Sequence, residues 1–263
     1  MISNVNLIGQ GEEVTIIDAE QTARVITLED SFNTIISNLA ITGGDADNGS
    51  EGKADHGGGL YSINSNLTLT HVTISNNMAG SKQSYGGGGY IEGDAVFENV
   101  LIQGNKARTG GGIYSLGSDL TFDYVEIIDN EALISMGVDD HTGSGFQGKG
   151  GGMMADNSHL KLTNGIISNN SSQDHGSGIL LGQSSSADFL NVEINNNIGG
   201  GGIFSGNFCD LSIINSTISN NTSNYNGAGI QVGPSSNATL LNVKISNNET
   251  SENGGGLSSA IWS

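Results

Sequence analysis

Basic residues are scarce: 8 Lys and Arg stand against 27 Asp and Glu, a formal net charge of -19 over 263 residues. Neutralising phosphates takes a cationic surface, so nucleic acid is excluded as a partner, and so is adsorption to anionic membranes. The acidic surplus is compatible with binding cations such as calcium. Proline is represented by Pro234 alone and cysteine by Cys209 alone. There is therefore no disulfide framework and no thiolate metal cage. No apolar run approaches the ~18 residues of a membrane span, and the start, MISNVNLIGQ, lacks the basic and apolar regions of a signal peptide. An apolar i, i+3, i+4 pattern is missing too, which removes helical folds.

Glycine is abundant, with 42 residues, yet it lacks the strict every-third spacing of collagen. It gathers in a tetrapeptide, G-[GSA]-G-[ILMY], that ends at Leu60, Tyr90, Ile113, Met153, Ile179, Ile203, Ile230 and Leu257. A second element lies inside each unit, as in LTLTHVTISNN and ATLLNVKISNN, anchored on Ile41, Ile74, Ile102, Ile127, Ile167, Ile194, Ile218 and Ile245. Apolar residues recur seven, five and two positions before the anchor, broken only by Thr34, Gly165 and Ser216. Between the fifth and second positions the alternation slips by one residue. A strand has period two, so the slip marks a bend between two short strands. The bend residue is Asn in six of eight units, which suits the left-handed conformation of a corner. The glycine tetrapeptide opens a third strand.

Three short strands in about 25 residues, repeated along the chain, cannot bury a core as separate hairpins. Equivalent residues must stack rung over rung, about 4.8 Å apart. The expected fold is all-β: a single-stranded parallel β-helix of eight to nine coils, one domain over residues 1–263. With motifs such as GGGI at Gly110–Ile113 and IxxN at Ile74–Asn77 and Ile245–Asn248, the chain resembles right-handed parallel β-helix proteins of the pectate-lyase-like superfamily. It is most similar to the subset with paired GGA[ILV] and FxxN tetrapeptides, as in polymorphic outer membrane proteins, although Ile replaces Phe throughout. The resemblance implies a right-handed coil, and a scaffold rather than one activity. NVNLIGQ aligned on NVLIQGN puts Leu7 in the anchor position, and Leu257 opens a new coil. Both ends then fall mid-coil, so a segment of a longer protein, or ends that self-associate, is expected.

Length variation is confined to one corner, at residues 43–57, 78–86, 106–110, 131–150, 171–176, 198–200, 222–227 and 249–254. Loops on a rigid scaffold commonly carry function. Five of the eight basic residues fall there: Lys53, Lys82, Lys106, Arg108 and Lys149. Together with His56 and Tyr85, the residues Lys53, Lys82, Lys106 and Arg108 form the candidate binding set. The candidate catalytic set spans three successive rungs: Arg108; Asp139, Asp140, His141 and Lys149; Asp174 and His175. Carboxylates, an imidazole and a guanidinium together could bind a metal or abstract a proton from a sugar acid. The plain alternative is that charged residues simply occupy exposed loops.

Enzymes of the resembled superfamily set a test. Galacturonan hydrolases carry paired Asp, G-H-G and R-I-K. Here Asp139-Asp140 matches the first alone, Asp55-His56-Gly57 and Asp174-His175-Gly176 read D-H-G, and R-I-K is absent. The Y-G-x-D-P-H of alginate epimerases is absent too. Pectate lyases use an Arg with Asp-held calcium, and Arg24 and Arg108 are the only arginines. DADNGSE offers Asp45, Asp47 and Glu51 as a loose calcium loop, without the order of an EF-hand. Tyr61, Tyr90 and Tyr114 could stack on sugars or cover the rod. The sequence thus points to a structural or adhesive rod, secreted or at the cell surface, that binds a polysaccharide or surface glycan along one edge. A polysaccharide lyase acting on an acidic polymer is the alternative.

Overall fold

A computed structural model describes residues 4–47, 55–80, 84–133 and 148–259. Every regular element among them is a strand, and no helix is long and apolar enough to cross a membrane. The chain winds into a parallel β-solenoid of about nine turns. Each strand pairs in parallel with its equivalent one coil away, so Ile127 lies over Ile167, then Ile194, then Ile218. The expected vertical stacking is therefore the actual register. The anchors Ile41 to Ile218 are at most 1% exposed, and Ile245 packs half-buried on the same core.

Three sheets wall the bore, of 15, 7 and 9 strands. The largest holds both strands around the bend. All eight bend residues, from Asn38 to Asn242, sit at φ between 50° and 56°. In the first coils the strand runs straight through the bend, as Thr34–Thr42, Leu67–Ser75 and Ala95–Gln103. Later coils break there, as in His159–Thr163 and Ile166–Ser168. The nine-stranded sheet is the glycine-tetrapeptide strand, as expected.

Two expectations are corrected. The segment read as loop after each IxxN begins with a further two-residue strand, such as Lys106–Ala107 over Glu131–Ala132, and these build the seven-stranded sheet. A coil thus has three strands where the long strand runs through the bend and four where it breaks there. The short strand was invisible because two residues cannot display a period. Second, Leu7 is not in the anchor position. It pairs with Ile36, five residues before the anchor, and Ile17 pairs with Ile41. The first coil replaces its one-residue bend with the stretch Gly9–Thr15, which shifts the alignment.

The IxxN asparagines close one corner. Asn77, Asn105, Asn130, Asn170, Asn197 and Asn221 are at most 1% exposed, and Asn248 is half-buried beyond them. Asn130 is typical: its main-chain N–H and its Nδ2 both donate to Oδ1 of Asn170 at 3.0 Å, and Nδ2 also donates to the Ile102 carbonyl at 2.9 Å. Its own Oδ1 accepts the same pair from Asn105. Each amide thereby carries the sheet's hydrogen bonding through a turn where the backbone cannot. Another corner uses hydroxyls in the same way: Ser118 N–H donates to Ser158 Oγ and Ser158 N–H to Ser185 Oγ. Cys209 stands in this serine column and its thiol donates to the Gly182 carbonyl, which accounts for the lone cysteine.

The bore is filled by columns of aliphatic residues with Phe97 stacked on Phe122 at 4.7 Å. Among them Ser62 and Ser115 bury hydroxyls that have no hydrogen-bond partner. Asn170→Ala strands the Asn130 amide and the Ile127 carbonyl, so it should cost about 3 kcal/mol or more, given ~1–3 kcal/mol per stranded group. Ser115→Ala should leave the denaturation midpoint unchanged or raise it. Urea or thermal melts of the two variants read both effects. Equal stability of Asn170→Ala and wild type would mean that the amide column does not hold the corner.

Candidate functional site

The variable corner precedes the glycine strand, and its geometry follows from one left-handed glycine per coil. Gly57, Gly86, Gly110, Gly150 and Gly176 have φ between 64° and 69°. The residue before each forms a column, His56, Tyr85, Thr109, Lys149 and His175, because each carbonyl accepts from the glycine of the coil before. Four of the residues singled out from the sequence therefore share one line along the rod.

This column lies against a second one, the outward residue of the glycine strand: Tyr61, Tyr90, Tyr114, Met154, Leu180 and Phe204. Each ring of the first covers the next coil's residue in the second. His56 stacks on Tyr90 at 4.9 Å, Tyr85 on Tyr114 at 4.7 Å, and His175 meets Phe204 edge-on at 4.4 Å. Tyr61, Tyr90 and Tyr114 are 6–7% exposed. They cover the rod and are closed to a sugar. Arg24 caps the ridge, its guanidinium 4.5 Å over the Tyr61 ring and its Nε donating to the His56 carbonyl at 2.6 Å.

Burial sets the electrostatics of this ridge. It pushes the Tyr90 and Tyr114 hydroxyls well above the usual phenol range, with the Glu92 and Asp156 carboxylates adding to the shift. It also lowers His56 to about 4, helped by the charge of Arg24 and opposed by Asp55. The Nδ1 atom of His56 is buried without a hydrogen-bond partner. His56 is thus a neutral aromatic member of the stack at neutral pH.

Farther along, the candidate catalytic residues divide. Lys149, Asp174 and His175 meet: Lys149 Nζ is 3.3 Å from Asp174 Oδ2, and the other carboxylate oxygen is hydrogen-bonded to His175 Nδ1. Burial alone would raise the Asp174 carboxyl, but the His175 hydrogen bond and the His175 and Lys149 charges outweigh it and hold it low. An ionised Asp174 is an acceptor only, so His175 donates to it from Nδ1, and in the neutral ring Nε2 is the unprotonated nitrogen. Tyr225, which the sequence did not single out, stacks on the His175 ring at 4.3 Å and 16°, with 36% of its surface exposed.

Arg108 is on the same edge but turned inward, 1% exposed, and is among the largest fully buried side chains. Gly148 separates its backbone from that of Asp174 in the stack. Lys106 stands apart in the short strand, paired with Glu131 at 3.0 Å. Asp139, Asp140 and His141, like Lys53, Lys82 and Glu51, lie outside the described residues. Asp45 accepts the Asp47 N–H, which is turn chemistry, and Asp47 accepts the Gly80 N–H of the next coil. Among the described residues no three His, Cys, Asp or Glu side chains group closely enough to hold a metal ion.

His56 gives a pH dependence with a definite sign. Its folded pKa, about 4, lies below the ordinary 6.5, so the unfolded chain takes up the proton first. The contribution is intact above pH 6.5 and is lost as pH falls towards 4. His56→Phe keeps a ring between Tyr85 and Tyr90 and removes the titration. Its melting temperature should fall less than that of wild type between pH 7 and 4.5. Parallel curves would show that His56 is not buried neutral.

Residues 150–260 match the family model described as a right handed beta helix region. No curated protein matches the chain. Among solved structures, the A-module of mannuronan C-5 epimerase AlgE4 from Azotobacter vinelandii aligns over 100% of this chain and 83% of its own, at 14% identity and a TM-score of 0.34. The AlgE6 A-module from the same organism aligns over 100% and 85%, at 11% identity and a TM-score of 0.33.

Proposed function

We propose that the chain is a non-catalytic rod, secreted or displayed at a cell surface, that binds a polysaccharide along its loop-bearing edge. The observation that carries this reading is the Tyr225 platform. Its ring is partly exposed and lies flat on His175, which Asp174 orients and Lys149 anchors through Asp174. An aromatic face held in place by a supporting network is suited to the apolar face of a pyranose, at little entropic cost on binding. The cations of this edge favour binding over chemistry on an acidic polymer. Lys106 and Lys149 are ion-paired and Arg108 is buried. The paired GGGI and IxxN tetrapeptides, like those of polymorphic outer membrane proteins, support surface display.

A second reading, a polysaccharide lyase, rests on one observation: Asp174 fixes the His175 tautomer with Nε2 as a proton acceptor beside Lys149. One experiment separates the two. On a panel of neutral and acidic polysaccharides, binding should weaken roughly tenfold in Tyr225→Ala, the effect of ~1.4 kcal/mol, and ultraviolet absorbance should not rise. A rise on polyuronates that disappears in His175→Ala would replace the binder with the lyase. Binding unchanged in Tyr225→Ala would remove the platform.

A further inference from the structure

The bend of the long sheet carries a pattern that the loop edge does not explain. Six of its eight residues are Asn, as the left-handed backbone prefers. The exceptions are His71 and Tyr124, at φ 52° each. Tyr124 is 59% exposed, so its ring gains little burial to offset that backbone conformation. Strain without a packing return points to use at a surface.

Both exceptions face the same object. The stretch Gly9–Thr15 leaves the first coil as a hook over the sheet's outer face, braced by Gly11 N–H to the Asn38 carbonyl. At its tip Glu12 Oε2 accepts a hydrogen bond from Thr73 Oγ1 at 2.8 Å, two coils along. A recess opens on either side of Glu12. One, of about 390 Å³, includes His71 and Glu13 in its lining. The other, of about 340 Å³, is lined by Glu12, Asn99, Val100, Leu101, Tyr124 and Glu126.

We propose that the recess between Glu12 and Tyr124 is a saccharide site for an amino sugar, with the Tyr124 ring against the pyranose and Glu12 and Glu126 receiving its ammonium group. The aromatic residue supplies a flat apolar face and a negative π surface that attracts a cation. Glu12 is already oriented by Thr73, and one bond leaves its carboxylate with acceptor capacity. Asn99 adds an amide that can donate and accept to ring hydroxyls. The lining contains no Lys or Arg, and Glu98 adjoins Asn99 in the chain, so the local field repels uronic acids and favours a positive ligand. This site is on a different face from the Tyr225 platform and stands or falls independently of it.

The test uses glucosamine oligomers as the probe, with N-acetylglucosamine oligomers, polyuronate and polylysine as comparison arms, followed by calorimetry. Tyr124→Asn is the informative variant, because Asn is the bend's own usual residue and the fold is kept. Saturable binding of glucosamine oligomers is expected, weakened roughly fivefold or more in Tyr124→Asn, the scale of one cation–π contact, and likewise in Glu126→Gln. Tyr225→Ala should bind them normally. The acetylated oligomers should bind more weakly and polyuronate not at all. Absence of glucosamine binding, or equal affinity in both variants, would overturn the assignment. So would acetylated oligomers that bind as tightly, or polylysine that binds as tightly irrespective of Tyr124, since that reports charge alone.

Discussion

Each residue in this rod rests on its own equivalent one coil below, and that self-stacking constrains everything else. A side chain is admitted to a column only if it tolerates a copy of itself, or of a near relative, about 4.8 Å away. Aliphatic and aromatic groups do so inside the bore, as Phe97 and Phe122 show at 4.7 Å. Asparagine does so at a buried corner, because an amide is both donor and acceptor and can satisfy its neighbour while being satisfied by it. Like charges do so only where water reaches them, as Glu98 beside Asp123 on the outer face, and charged residues are only 13% of the chain. Opposite charges meet between coils as well, Lys106 over Glu131 in register and Lys149 reaching Asp174 by its side chain.

The glycines answer to the same constraint. At Gly111 an added Cβ would stand 2.4 Å from the Glu131 carbonyl oxygen and 2.5 Å from that of Gly151. The backbone of neighbouring coils converges there, where the chain leaves the short strand for the glycine strand. The abundance of glycine is thus a packing requirement of one corner repeated in each coil. The same corner aligns the residues just outside it, so the external ridge of His56, Tyr85 and His175 is a by-product of how the coil closes.

Much of this fold is legible in the sequence because the anchor isoleucines and the phase slip recur in each coil, so each rung repeats the evidence of the last. What was not legible has local causes. Gly9–Thr15 replaces a single bend residue, and NVNLI imitates a later coil closely enough to misplace Leu7. The serine column is hidden in a chain rich in serine. Of the candidate site, Lys149, Asp174 and His175 were picked out because they are ionisable residues in successive loops of the one variable corner. The inward turn of Arg108 was not, since charge alone suggests a surface. Tyr225 escaped because the corner of the coil between, residues 198–200, is short, so its ring reaches His175 from two coils away, a contact that neighbouring-rung alignment does not pair.

The amide column has a sense of direction. In each amide-to-amide step one Nδ2–H points to the next coil and the oxygen to the previous one, from Asn77 through Asn221 to Asn248, while the second Nδ2–H returns to an Ile carbonyl of the coil before. The bond dipoles therefore add instead of cancelling, and each polarises the next. One flank of the cylinder is electrically a vector, so travelling up it is not equivalent to travelling down it. A polymer laid lengthwise on this body would meet a different potential in each of its two orientations.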